Sequence, residues 1–94
     1  MSNPRAQRRE IYYSGQVQGV GFRYTTVRIA RNYDVVGFVR NLPDGRVHLV
    51  VEGASEEIDA FLADIARSMG AYIRDRWMDI QTPTGEFGDF GIRF

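Results

Sequence analysis

The chain has 94 residues, the size of one small domain and too short for two independent hydrophobic cores. Hydrophobic residues make up 44% and charged residues 26%, a composition that excludes a disordered polyelectrolyte. Lys plus Arg and Asp plus Glu both number 12, and this balance argues against a surface that coats nucleic acid.

Every basic residue is arginine, which excludes a Schiff-base lysine, a P-loop lysine and a lysine general base. The absence of cysteine removes thiol nucleophiles, disulfides, iron–sulfur ligation and cysteine zinc sites. His48 is the single histidine, so two-histidine mechanisms and His-rich metal sites are excluded as well. Residues 1–10 are polar and arginine-rich with no apolar signal region, and no run approaches the length of a membrane span. A soluble protein of the cytoplasm is expected.

In chain order, residues 1–9, with Pro4 and the basic run Arg5, Arg8 and Arg9, read as a disordered lead to a domain at 10–94. Ile11 to Ser14 reads as a strand stopped by Gly15. Gly15-Gln16-Val17-Gln18-Gly19-Val20-Gly21 then places three glycines before a segment in which Phe22, Thr26, Ile29, Ala30 and Tyr33 recur at helical spacing. Asn32 and Asp34 end this helix, and Val35 to Val39 is a β-branched and aromatic strand. Asp44-Gly45 signals a hairpin into Val47 to Glu52. Ser55 is a candidate N-cap for a second helix with Ile58, Phe61, Leu62 and Ile65 on one face and Glu56 and Glu57 in its first turn. Tyr72 to Ile80 and Phe87 to Phe94 are further strands, parted by the Thr82-Pro83-Thr84-Gly85 turn.

The order β-α-β-β-α-β is that of an α+β ferredoxin-like sandwich: an antiparallel sheet with two helices on one face, the other face open, and a possible extra strand at the end. His48 falls on that open face, where a lone strand histidine is usually a surface residue.

The glycine loop ends at a helix N-terminus, where free N–H groups and the helix dipole favour an anion. Arg23 lies in the first turn, a place helix chemistry would give to Asp or Glu, and its fork suits a phosphate or carboxylate. On spacing alone the residues equally fit a tight turn with a solvated Arg23. The loop is neither a Walker A motif nor a Rossmann fingerprint. Asn41, ahead of Pro43, reads by itself as a turn former.

Gly15 to Arg23 resembles the phosphate-loop signature of the acylphosphatases. Gly37-Phe38-Val39-Arg40-Asn41, with Asp44-Gly45-Arg46-Val47 and Glu52-Gly53 following, resembles that family's second signature, and the likeness runs over roughly residues 10 to 94. The resemblance implies hydrolysis of acyl phosphates to a carboxylate and inorganic phosphate. It implies that Gln18, Gly19, Val20, Gly21, Phe22 and Arg23 bind the substrate phosphate and that Asn41 orients the attacking water. No metal or other cofactor, no nucleic acid and no membrane is expected, and the protein should be a monomer acting on a small acyl phosphate. The alternative is a non-catalytic ferredoxin-like regulatory or RNA-binding domain. The third strand, Val47-His48-Leu49-Val50-Val51, lacks the aromatic rings an RNA-recognition module stacks on bases, and a metal chaperone of this fold would need cysteines.

Overall fold

Alternating burial begins earlier in the chain than its composition suggests. In the computed structural model, which describes residues 5–94, strand β1 runs Ala6–Gly15. The disordered-lead reading is therefore corrected for residues 6–9, while Met1 to Pro4 lie outside the described residues. The physical reason is that the basic run is paired in space. Arg9 turns toward the helices, is 5% exposed, and donates to Asp59 at 2.7 Å. Arg8 turns to the other face and donates to Glu52 and Glu86, each at 2.9 Å.

The remaining elements are α1 (Phe22–Ala30), β2 (Val35–Asn41), β3 (Val47–Ala54), α2 (Ser55–Met69), β4 (Ile73–Gln81) and β5 (Phe90–Arg93), with one 3-10 turn (Gly70–Tyr72) ahead of β4. The sheet order is β4-β1-β3-β2-β5. Three of its pairings are antiparallel, from Ala6 opposite Ala54 in β1–β3 to Val35 opposite Gly53 in β2–β3. The fourth is not: β5 lies parallel to β2, with Val39 opposite Ile92. The expected antiparallel sheet is thus a mixed one of five strands. The chain leaves β4 at one edge and must cross to the other, so it enters β5 running in the direction of β2.

Both helices pack on one face. Ile11 and Tyr13 of β1, Val39 of β2 and Leu49 and Val51 of β3 meet Phe22 and Ile29 of α1 and Ile58, Phe61 and Ile65 of α2 in one core. Phe61 anchors the edge strand through an edge-on contact with Phe90, ring centres 5.4 Å apart. The N-cap of α2 is Ala54, not Ser55, and no side chain caps it. Glu56 and Glu57 still complement the helix dipole in the first turn.

The opposite face is partly covered by the 82–89 connection. Thr84 and Gly85 donate backbone N–H bonds to Glu52, the Thr84 hydroxyl adds a third at 2.8 Å, and Phe87 lies against Phe38. Burial pulls the Glu52 carboxyl upward, yet these donors and Arg8 outweigh it and hold the group below its ordinary value. Glu52 thus secures the 82–89 connection.

His48 is on this face as its strand alternation requires, but only 4% exposed. Its ring stacks on Tyr12 at 4.6 Å and meets the edge of Phe38. Arg40 Nε donates to His48 Nδ1 at 3.1 Å, which assigns the ring proton to Nε2, 2.9 Å from Glu10 Oε2. Aromatic rings do occupy the face, from β1, β2 and β4 rather than β3.

Burial, partly countered by Glu10 and reinforced by Arg40, lowers the His48 pKa from its usual 6.5. On acidification the unfolded chain takes up the proton first, so this stability is complete above about pH 6.5 and declines as pH falls through that value toward the folded pKa. The Glu52 contribution, complete above the ordinary carboxylate pKa, is lost at still lower pH as the folded value is passed. Urea unfolding at pH 7 and pH 5 should show a fall in unfolding free energy that is clearly smaller in His48→Asn. An equal fall in the variant would assign the loss elsewhere.

Candidate active site

Residues 16–21 between β1 and α1 are held from three sides. The Gln16 N–H donates to the Tyr72 carbonyl at 2.9 Å, and Val17 is fully buried. The Gln18 side-chain amide donates to the carbonyls of Leu42 and Arg46 at 2.8 and 2.9 Å, which clamps the loop to the β2–β3 turn. Val20 packs against the core, and Phe22 is 2% exposed beside Tyr13. With these side chains turned inward, the loop offers a ligand its backbone.

Gly19 and Gly21 both have φ of 79°, a conformation that side-chain-bearing residues rarely adopt. A Cβ added at either would meet nothing within 4 Å, so the glycines leave open space above the loop instead of relieving a close contact. Gly21 is the N-cap of α1, there is no side-chain cap, and the first turn holds no acidic residue. The first intrahelical donor at this end is Thr25 N–H, bonded to the Gly21 carbonyl at 3.0 Å. Helical geometry leaves the N–H groups of Phe22, Arg23 and Tyr24 without such acceptors, and together with the dipole they make a positive pole.

Asn41 is the last residue of β2, opposite Val47, and by alternation with Val35 and Val39 it lies on the helix-facing side. The turn after it is ordered by Leu42 N–H to the Arg46 carbonyl at 2.8 Å and by Arg46 N–H to Asp44 Oδ1 at 3.1 Å. Asn41 Oδ1 is buried and, like the Tyr13 and Thr26 hydroxyls, has no hydrogen-bond partner among the described residues. A buried acceptor left in that state costs about 1–3 kcal/mol, which suits an atom whose partner arrives with a ligand.

These groups meet at one cavity of about 110 Å³, walled by Gly19, Gly21, Arg23 and Asn41, with Val17, Phe22 and Tyr24 completing it. The Arg23 guanidinium lies 5.2 Å from the centre of the Phe94 ring, and no carboxylate among the described residues pairs with it. Of the residues the resemblance assigned to phosphate, Gly19, Gly21, Phe22 and Arg23 line this cavity with Asn41. Gln18 and Val20 do not: one braces the loop and the other joins the core. Sequence reasoning missed the bracing role, because the carbonyls that hold Gln18 are 24 and 28 residues away. It also missed Tyr24 as part of the wall, although an aromatic side chain next to Arg23 in the first turn was a usable signal.

A larger cleft of about 760 Å³ opens between Ser14–Gln16, Asp44–Arg46 and Ala71–Arg74. Its arginines are already engaged, Arg46 by Asp44 at 2.7 Å and Arg74 by Asp75 at 3.4 Å. The smaller cavity is the stronger candidate, for it joins a helix N-terminus, an arginine without a carboxylate partner and a buried acceptor. Among the described residues no group of three or more His, Asp or Glu side chains is placed to hold a metal ion.

The family model described as Acylphosphatase matches residues 9–92. An acylphosphatase of Methylococcus capsulatus is 40% identical over 92 residues, covering 92% of this chain and 95% of its own. One of Syntrophus aciditrophicus is 43% identical over 90 residues, covering 94% and 93%. The crystal structure of acylphosphatase from Bacillus subtilis superposes with a TM-score of 0.86 at 28% identity, covering 94% of this chain and 99% of that one.

Proposed function

The chain belongs to the acylphosphatase family and is a hydrolase of that kind, and we propose that its Gly19–Arg23 loop binds the phosphate of an acyl phosphate while Asn41 orients the water that attacks it. The observation that carries this reading is that Asn41, whose buried Oδ1 has no partner among the described residues, lines the same small cavity as the α1 N-terminus and Arg23.

The chemistry asks little of the side chains. An acyl phosphate expels a carboxylate, whose conjugate acid has a pKa of roughly 4, so the leaving group needs no proton near neutral pH. Phosphoryl transfer needs positioning and stabilisation of charge on the equatorial oxygens. Backbone amides of the loop and first turn supply part of that charge stabilisation, and the planar Arg23 fork supplies the rest. An amide does not ionise usefully, so Asn41 is no base. Its Oδ1 accepts a hydrogen bond from water and sets the line of attack, while the water's proton passes to a phosphate oxygen of the substrate.

Two assays test this reading. Acetyl phosphate should be hydrolysed far faster than an alkyl phosphate monoester, whose alkoxide leaving group needs a proton and finds no carboxylic acid or histidine in the cavity lining. Comparable rates on the two would defeat the mechanism. Exhaustive dialysis against EDTA should leave the acetyl phosphate rate unchanged, and a loss reversed by Mg²⁺ or Zn²⁺ would show that a metal takes part. This reading takes the enzyme to be a monomer acting on a diffusible substrate in the cytoplasm, which sedimentation and cell fractionation would check. Among the described residues no helix is long and apolar enough to cross a membrane.

A further inference from the structure

A cavity of about 110 Å³ walled by glycines, Arg23 and Asn41 suits a phosphate group, and the acyl group attached to it must lie at the mouth. What stands there is aromatic. Tyr24 is part of the cavity wall yet 70% exposed, and Phe94, 96% exposed, has its ring 5.2 Å from the Arg23 guanidinium. Single exposed rings are ordinary on a protein surface, but these two stand beside one arginine of the cavity wall, Tyr24 next to it in the helix and Phe94 over its guanidinium. The other exposed rings have neighbours elsewhere: Trp77 lies against Tyr12, and Tyr72 lines the larger cleft.

Tyr24 has no part in the phosphate chemistry described above beyond its backbone. It is the third residue of α1, where side chains lean back toward the helix N-terminus, so its ring leans toward the mouth of the loop. Nothing in helix stability asks for tyrosine at an exposed first-turn position, which better suits Asp, Glu or Ser.

We propose that Tyr24 is a specificity-determining residue for this reaction: its exposed ring forms a wall for the acyl group and favours acyl phosphates with an aromatic or extended apolar acyl group over acetyl phosphate. The inference rests on the acylphosphatase mechanism above and adds which substrates that site prefers. The bond broken and the water consumed are the same for every acyl group, so the ring acts through binding alone. Contact between two aromatic rings sets the size of the effect, about three- to tenfold in the specificity constant.

The test measures kcat and KM for acetyl phosphate and benzoyl phosphate in the full chain, in Tyr24→Ala and in Tyr24→Phe, with the inhibition constant of inorganic phosphate for each. The wild type should prefer benzoyl phosphate. In Tyr24→Ala the ratio of benzoyl to acetyl kcat/KM should fall about three- to tenfold, mostly through KM for benzoyl phosphate, and Tyr24→Phe should restore it. An unchanged phosphate inhibition constant in Tyr24→Ala would place the effect on the acyl side. An unaltered ratio, or an equal loss on both substrates, overturns the proposal while leaving the acylphosphatase reading intact. Failure of the wild type to hydrolyse either substrate would overturn that reading first, and this one with it.

Discussion

Replacing Arg23 by alanine is expected to lower kcat/KM for acetyl phosphate by about 10³-fold or more while the protein stays folded, an effect of the size seen when an arginine that neutralises a transferring phosphoryl group is lost. The fold should survive because the side chain is only half-buried, pairs with no carboxylate among the described residues, and has the exposed Phe94 as its aromatic neighbour. Arg23→Lys should recover little, since an ammonium keeps the charge but not the planar fork. Phosphate binding gives a readout independent of turnover. A ligand that binds only the native state stabilises it by RT ln(1 + [L]/Kd), so inorganic phosphate at 100 times Kd should raise the unfolding free energy by about 2.7 kcal/mol. Against a chloride control matched in ionic strength, that gain should largely vanish in Arg23→Ala. A variant that still gains as much from phosphate would show that the anion binds elsewhere.

Asn41→Ala is expected to act on the other half of the reaction, lowering kcat by about 10²–10³, as when one oriented polar group of a preorganised site is removed, with little change in phosphate inhibition. The signature separates the two residues: Arg23 variants lose both anion affinity and rate, whereas Asn41 variants lose rate alone. Stability gives a second check. Because Asn41 Oδ1 is buried without a partner, its removal should destabilise the free protein little, or even stabilise it, whereas loss of an ordinary turn-forming asparagine would cost stability. Near-normal kcat in the variant would return Asn41 to the role of a turn former. Asn41→Asp should not substitute, since a carboxylate at the cavity would repel the substrate phosphate.

Much of this arrangement is legible in the residues themselves. Helical spacing from Phe22 to Ala30, the strand runs at Val35 and Val47 and the Asp44-Gly45 hairpin are local patterns, and local backbone preference with side-chain periodicity suffices to read them. Glycines ahead of a helix that lacks an acidic first turn also have a short-range meaning, a positive pole that fits an anion and equally a tight turn. The resemblance to two family signatures then joins Arg23 and Asn41, which pattern alone leaves as a solvated arginine and a turn former.

What the sequence determined by itself is the order of the elements, the covering of one sheet face by helices, and a glycine loop leading into a helix with arginine and no acidic residue in its first turn. Only the tertiary structure decided the rest, because each remaining feature depends on a partner far along the chain. Ala6 to Arg9 is strand because Glu52 and Asp59 meet its arginines on opposite faces. His48 is buried because Tyr12, Phe38 and Arg40 surround it. Residues Phe90–Arg93 run parallel to β2 because the chain must cross the sheet to reach its free edge. The Gln18 side chain serves as a clamp because folding carries the Leu42 and Arg46 carbonyls to it. Which polar atoms are left without partners, Asn41 Oδ1 among them, emerges only when all the others have found theirs.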